Sequence, residues 1–208
     1  MLDTGTPGES RRQFLRTLVA VGGPALLGLR CAEEGAAKPE EAAVTPACED
    51  GDDADATAPE TEGPFFKPSS PRRHSLLDPG ITGTKLVVVG TVLTRRCRPV
   101  AGALLDFWQA DDGGNYDNAG FRLRGHQFAD AKGAYRLETI VPGVYPGRTR
   151  HIHVKVQAPG RPVLTTQLYF PGEPRNARDG IFHESLLMRM AEAQDGREGR
   201  FDFVLDMV

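Results

Sequence analysis

The sequence predicts an all-β protein, a β-sandwich with one short helix, and three observations carry that prediction. Short runs rich in β-branched and aromatic residues recur at residues 85–93, 101–110, 133–141, 151–158, 164–170 and 201–208. Turn-forming clusters of Gly, Pro and Asp separate them, as in Asp130-Ala131-Lys132-Gly133. Only residues 184–193 read as a helix, so the apolar faces of the strands have to be covered by another sheet. At 208 residues, with 39% hydrophobic and 25% charged side chains, the chain has the composition of a soluble globular protein with one main domain.

The elements follow in order. Residues 1–31 read as an export signal: Ser10-Arg11-Arg12-Gln13-Phe14-Leu15-Arg16 is a twin-arginine pattern, and the modestly apolar run that follows it to Leu29 is too short to span a bilayer. The destination expected from this signal is periplasmic or extracellular. Cys31 sits where a lipoprotein cysteine would, but Arg30 is a poor residue before it, so lipid anchoring is not favoured. Residues 32–58 read as an acidic disordered linker; residues 33–62 hold eleven acids against Lys38 alone. With the whole chain at a formal charge of -3, the remainder carries +7. That favours acidic ligands, yet no Lys/Arg stripe of the kind nucleic acid requires is present. Of the three cysteines, Cys48 and Cys97 are the pair that could bridge linker and domain in an oxidising compartment, or stay as free thiols.

The sandwich domain is expected over residues 59–208, opening with Thr61-Glu62-Gly63-Pro64-Phe65-Phe66. The strand at 101–110 runs through Trp108-Gln109-Ala110 into the glycine-rich turn Asp112-Gly113-Gly114-Asn115 and presents Tyr116 beyond it. The strand at 133–141 ends in Pro142-Gly143, and Tyr145 stands between that turn and Pro146-Gly147, held by the backbone. In His151-Ile152-His153-Val154-Lys155-Val156, strand alternation points the three apolar residues one way and His151, His153 and Lys155 the other.

Two imidazoles leaving one face a pleat apart can bind one metal ion, and imidazole suits zinc, copper, iron and nickel. Taken alone, an H-x-H is better explained by an ordinary solvent-facing strand surface. A phenol titrating near pH ~10 joins such a site only where a strongly Lewis-acidic ion replaces its proton, which favours Fe(III). Lys155 lies further along the face, where it reaches solvent. His126 and His183 lack a partner at ligand spacing and read as surface or supporting residues.

In order and spacing, W-Q-A-x-x-G-G-x-Y, P-G-x-Y-P, R-x-x-H-I-H and T-Q-L-Y-F resemble the intradiol ring-cleavage dioxygenases, the protocatechuate and catechol 1,2 type, from Thr61 to the C-terminal valine. The resemblance implies a non-haem Fe(III) cofactor held by Tyr116, Tyr145, His151 and His153. It also implies catalytic roles for Arg148, Gln167 and Tyr145: charge stabilisation, a hydrogen bond to substrate, and acceptance of a substrate proton on displacement. Its partners would be a catechol-type diol and O2, without nucleic acid, and a homo-oligomer is compatible with it. The Thr61–Phe66 segment resembles the T-x-G-P segment that lines the family's substrate pocket. Arg150 departs from the family, where proline often precedes H-I-H, and is expected to alter the loop more than the ligands. Two rival readings remain at this stage: a non-catalytic sandwich binding module, and a zinc hydrolase using the histidine pair with Asp106 or Asp111.

Overall fold

The computed structural model describes residues 54–208. They form nine strands: β1 (Lys85–Thr94), β2 (Leu104–Trp108), β3 (Arg124–Phe128), β4 (Ala134–Ile140), β5 (His151–Gln157), β6 (Leu164–Tyr169), β7 (Arg189–Ala193), β8 (Gly196–Arg200) and β9 (Phe203–Leu205). The twin-arginine pattern, Cys31 and Cys48 lie outside the described residues. Cys97 is disulfide-bonded.

Two sheets face each other. One has the order β4-β1-β8-β7, with β9 continuing beside β1; the other has the order β3-β2-β5-β6. Alternation in β1 is strict, sending Leu86, Val88 and Val92 inward. From the second sheet Leu105, Phe107, Ile152, Val154, Val156 and Leu168 meet them, all fully buried. Such period-2 burial on facing sheets is what closes a sandwich core. The turn at Asp130 carries the chain from β3 in one sheet to β4 in the other; the Asp130 carboxylate accepts from Lys132 N and Ala134 N at 2.8 and 2.9 Å, and Gly133 takes φ +73°.

Two expectations are corrected, and one strand is added. Residues 184–193 are not a helix: Glu184–Leu186 is one 3-10 turn, and Arg189–Ala193 is strand β7, paired antiparallel with β8. A two-residue loop, Gln194-Asp195, closes that hairpin, and Gly196 follows at φ +141°. Helix propensity over ten residues yields here to a sheet edge that only the partner strand supplies. Strand β3 was hidden because its sequence, Arg-Gly-His-Gln-Phe, has little β-propensity of its own. Residues 54–58, assigned to the linker by composition, run along the domain: Ala54 N donates to Arg95 O, Thr57 N to Val204 O, and Thr166 Oγ1 to Ala58 O, at 2.7–2.9 Å.

Gly90 stands mid-strand in β1, where a β-carbon would fall on the Phe201 carbonyl and against the Tyr135 ring. Gly90→Ala is expected to lower the unfolding free energy by about 1–3 kcal/mol, the usual cost of overpacking, read as a reduced urea midpoint with an unchanged slope.

Candidate active site

The site grows from the outer face of the second sheet. β5 lies between β2 and β6, and register sets rows of side chains across the sheet: Tyr169 opposite His151; Gln167, His153, Trp108 and Arg124; Thr165, Lys155, Asp106 and His126. An outer face of an antiparallel sheet is commonly wet. This one is covered, since His151 and His153 are only 4% and 3% exposed.

The cover is the segment from Thr61 to Phe66. Gly63, at φ +70°, lies on the His153 ring, so close that a β-carbon would stand 3.4 Å from Cε1. Phe65 stacks on Tyr116 at 4.4 Å and meets Tyr145 edge-on at 5.3 Å. Phe66 packs edge-on against Trp108 at 4.9 Å. The segment is held from below: Gln167 Nε2 donates to Thr61 O at 2.9 Å, Arg124 Nη1 to Phe65 O at 2.6 Å, and Lys155 forms an ion pair with Glu62. Lys155 also lies 4.4 Å above the Phe66 ring. The expectation that Lys155 reaches solvent is therefore corrected; it ties the cover down, because a cation over a half-buried ring and beside a carboxylate gains more than in water.

At the centre, three donor atoms converge. His151 Nε2 lies 3.2 Å from His153 Nε2 and 3.2 Å from the Tyr116 hydroxyl. His151 Nδ1 donates to the buried carbonyl of Thr149 at 2.7 Å, which fixes the tautomer and leaves a lone pair on Nε2 aimed at the centre. Trp108 stacks on His153 at 4.7 Å with planes 4° apart, fixing that ring's orientation. Burial pushes His151 down to about 4 against the opposing pull of the Thr149 bond, and desolvation holds His153 well below its ordinary value, with His151 adding to it. Both are therefore neutral near pH 7, the form that binds a metal. Burial pushes the Tyr116 phenol above its ordinary value while Arg148 and Arg124 pull the other way, so a cation is needed to hold it as phenolate.

Tyr145 reaches this cluster through its ring, 5.8 Å from Tyr116 and nearly perpendicular to it; its hydroxyl has no hydrogen-bond partner among the described residues. Two interlocked loops set the pair. Gly143 N donates to Asp111 O at 2.6 Å, and a β-carbon at Gly143 or Gly114 would strike the other loop's backbone. Arg150 bridges the same region, donating from Nε to Glu173 at 2.8 Å and from Nη1 to Pro142 O. The residue that departs from the family pattern thus acts on loops.

Arg148 is clamped: Nε donates to Asp179 Oδ2 at 2.9 Å and Nη2 to Gln167 Oε1 at 2.7 Å. Gln167 is fully buried, and its carbonyl also accepts from Tyr169 at 3.1 Å. With Thr61 taking one amide hydrogen, one N–H of Gln167 is left, and its larger part is to aim Arg148. Sequence reasoning missed Arg124, Trp108 and Asp179. Arg124 is 1% exposed, and its guanidinium spans Phe65 O and Asp117 O on both sides of Tyr116. Counting two residues at a time along the strand carrying Trp108 would have put that ring on the histidine face.

His126 bonds Ser70 O at 2.7 Å below the cover, and His183 bonds Ser185 Oγ at 2.8 Å in an exposed position, so neither joins the cluster. The zinc-hydrolase reading loses its carboxylate. Asp106 accepts from Ser70 Oγ at 2.7 Å, and Asp111 accepts from Gly113 N and Asn115 N at 3.0 and 2.8 Å. Among the described residues no three His, Cys, Asp or Glu side chains gather at one point.

A two-sheet sandwich with a buried cluster of imidazole and phenol on one outer face is the frame into which the comparisons fit. The family model described as Dioxygenase matches residues 61–207. The dioxygenase domain of a dioxygenase carbohydrate-binding protein fusion from the cellulolytic bacterium Streptomyces sp. SirexAA-E is 62% identical, with TM-score 0.73 over 74% of this chain and 100% of that one. Hydroxyquinol 1,2-dioxygenase of Nocardioides simplex is 33% identical over 62% of this chain and 52% of its own length. Protocatechuate 3,4-dioxygenase beta chain of Burkholderia cepacia is 37% identical over 48% and 50%. The chain belongs to the intradiol ring-cleavage dioxygenase family. It spans about half the length of these two curated relatives.

The histidine shifts give a pH dependence with a definite sign. An imidazole held near 4 in the fold and titrating near ~6.5 when unfolded binds fewer protons folded than unfolded between those values. Stability from this source is present above about pH 6.5 and is lost as pH falls toward 4. Metal-free protein should lose on the order of 1–3 kcal/mol from His151 across that window, and His151→Gln should flatten the loss in urea titrations at pH 7 and 4.5.

Proposed function

We propose that the chain is a non-haem Fe(III) dioxygenase that inserts both atoms of O2 into a catechol-type diol, breaking the bond between the two hydroxylated carbons to give a cis,cis-muconate-type diacid. The observation that carries the reading is the approach of both Tyr116 Oη and His153 Nε2 to within 3.2 Å of His151 Nε2. Donors about 3 Å apart are spaced as neighbours on one ion bound through ~2.0–2.1 Å bonds. The donor set fits a hard trivalent ion, because two neutral imidazoles and the Tyr116 phenol, whose proton affinity burial raises, suit a cation able to displace a phenolic proton.

Tyr116, Tyr145, His151 and His153 would hold that ion. A ferric ion held there would supply the Lewis acidity that favours a deprotonated diol and makes its ring reactive toward dioxygen. Tyr145, half-buried and without a hydroxyl partner among the described residues, is the one able to leave its place and accept a diol proton at its phenolate oxygen. Arg148, fixed by Asp179 and Gln167, supplies a positive charge that needs no reorganisation as negative charge builds on the ring. The remaining Gln167 N–H is available to a substrate oxygen. Phe65, Phe66 and Trp108 keep water from the imidazoles. The twin-arginine pattern extends the proposal to an exported enzyme, and a disulfide at Cys97 suits an oxidising compartment.

Purified protein reconstituted with ferric iron should be red from phenolate-to-iron charge transfer, and a catechol added without air should shift the band to longer wavelength. Tyr116→Phe and Tyr145→Phe should each weaken the colour. A protein that takes up no iron and stays colourless would sink the proposal. Arg148→Gln should keep the colour while kcat falls by about 10²–10³, the loss typical of one preorganised charge-stabilising group.

A further inference from the structure

A cavity of about 300 Å³ is lined by Gly147, Arg148, Arg175, Arg178 and Asp179. It shares Arg148 with the active site, where the same guanidinium bonds Gln167, the cross-strand neighbour of His153. Arg175 caps and Arg178 ends the short 3-10 turn Asn176–Arg178 in the loop after β6. That loop is docked firmly: Thr149 Oγ1 donates to Asn176 Oδ1 at 2.6 Å, Asn176 Nδ2 donates to Phe170 O at 2.9 Å, and Asp179 N donates to Arg175 O at 3.0 Å.

The acids that could neutralise these arginines are committed elsewhere. Glu173 accepts from Arg150 at 2.8 Å. Asp179, with its side chain 2% exposed, accepts from Arg148 Nε, Thr149 N and Ile181 N. Arg175 and Arg178 have no side-chain partner among the described residues, and Gly147 leaves the wall open, since a β-carbon there would meet nothing. The cavity therefore presents guanidinium groups with one carboxylate, already paired, on a scaffold pinned to the residues just before His151.

We propose that this cavity is a carboxylate subsite, in which Arg175 and Arg178 receive an anionic carboxyl group while Arg148 serves the adjoining reaction. Planar guanidinium forks match a carboxylate bidentately, and two on a rigid loop need little ordering to do so. The carboxylate belongs either to an acid-substituted diol or to the diacid product; this assignment of source rests on the proposed reaction, whereas the anion site does not.

Benzoate, titrated calorimetrically into the metal-free full-length chain, probes the site directly. Wild type should bind it, more weakly as salt rises, and R175Q/R178Q should lose at least about tenfold in affinity. For the iron-loaded protein, a drop of about tenfold in kcat/KM for 3,4-dihydroxybenzoate relative to unsubstituted catechol assigns the site to substrate. Loss of inhibition by cis,cis-muconate with that ratio unmoved assigns it to product. Absent benzoate binding in wild type, or equal binding by the double variant, overturns the proposal. Benzoate binding that is lost in the variant, in a protein that cleaves neither diol, upholds the anion site and refutes the reaction instead.

Discussion

The constraint on which the site depends is the pairing register of one strand. β5 is hydrogen-bonded to β2 on one side and β6 on the other, and this sets His153 between Trp108 and Gln167 and His151 opposite Tyr169. Strand side chains alternate with a period of two, so a slip of one residue would turn both imidazoles into the core and Ile152, Val154 and Val156 out of it. Those three are fully buried between the sheets, and the hydrophobic cost of exposing them, roughly 1.5–3 kcal/mol per side chain, locks the register. The core thereby positions the polar face that lies on its other side.

That polar face is unusual for an outer sheet surface because it is dry. Covering it with Thr61 to Phe66 removes water from two imidazoles, an amide and the Arg124 guanidinium, and each must find partners within the protein or lose several kcal/mol. Most do: Gln167 with Arg148, Tyr169 and Thr61, Arg124 with Phe65 and Asp117, His151 with Thr149. His153 Nδ1 and Trp108 Nε1 remain buried without a partner among the described residues. The same dryness keeps both imidazoles neutral and raises the phenol of Tyr116. Low dielectric is thus both the cost of the cover and the reason the donors are ready for a cation rather than for protons.

The loops repeat this economy of placement. The turn that presents Tyr116 and the turn that presents Tyr145 touch backbone to backbone through Gly114 and Gly143, so neither backbone can shift without the other. The segment before β5 is braced by the loop after β6, through Thr149 to Asn176 and Asp179 and through Arg150 to Glu173. Arg148 sits at that junction. It belongs at once to the reacting centre, through Gln167, and to the cationic cavity, through Asp179 and its neighbours.

Much was legible in the chain itself. Alternation over 85–93 and 151–158 and the turn chemistry around Asp130 predicted strands at the right places, because both depend on residues close in sequence. The Tyr116, Tyr145, His151 and His153 motifs were readable for the same reason, each being local to one turn or strand. Strand β7, the first of the β7–β8 hairpin, was misread as part of a helix although Asp195-Gly196 carries a turn signal just beyond it, since its strand preference comes only from pairing. Arg124, Lys155 and Arg175 could not be assigned from the chain: Arg124 works beneath a segment 59 residues away, Lys155 holds the cover at Glu62, and Arg175 matters because Glu173 and Asp179 have other partners. Sequence determined which residues could do the chemistry, through short-range periodicity and turns. Tertiary structure alone decided which charges are neutralised and which face is dry, because both are sums over contacts between distant parts of the chain.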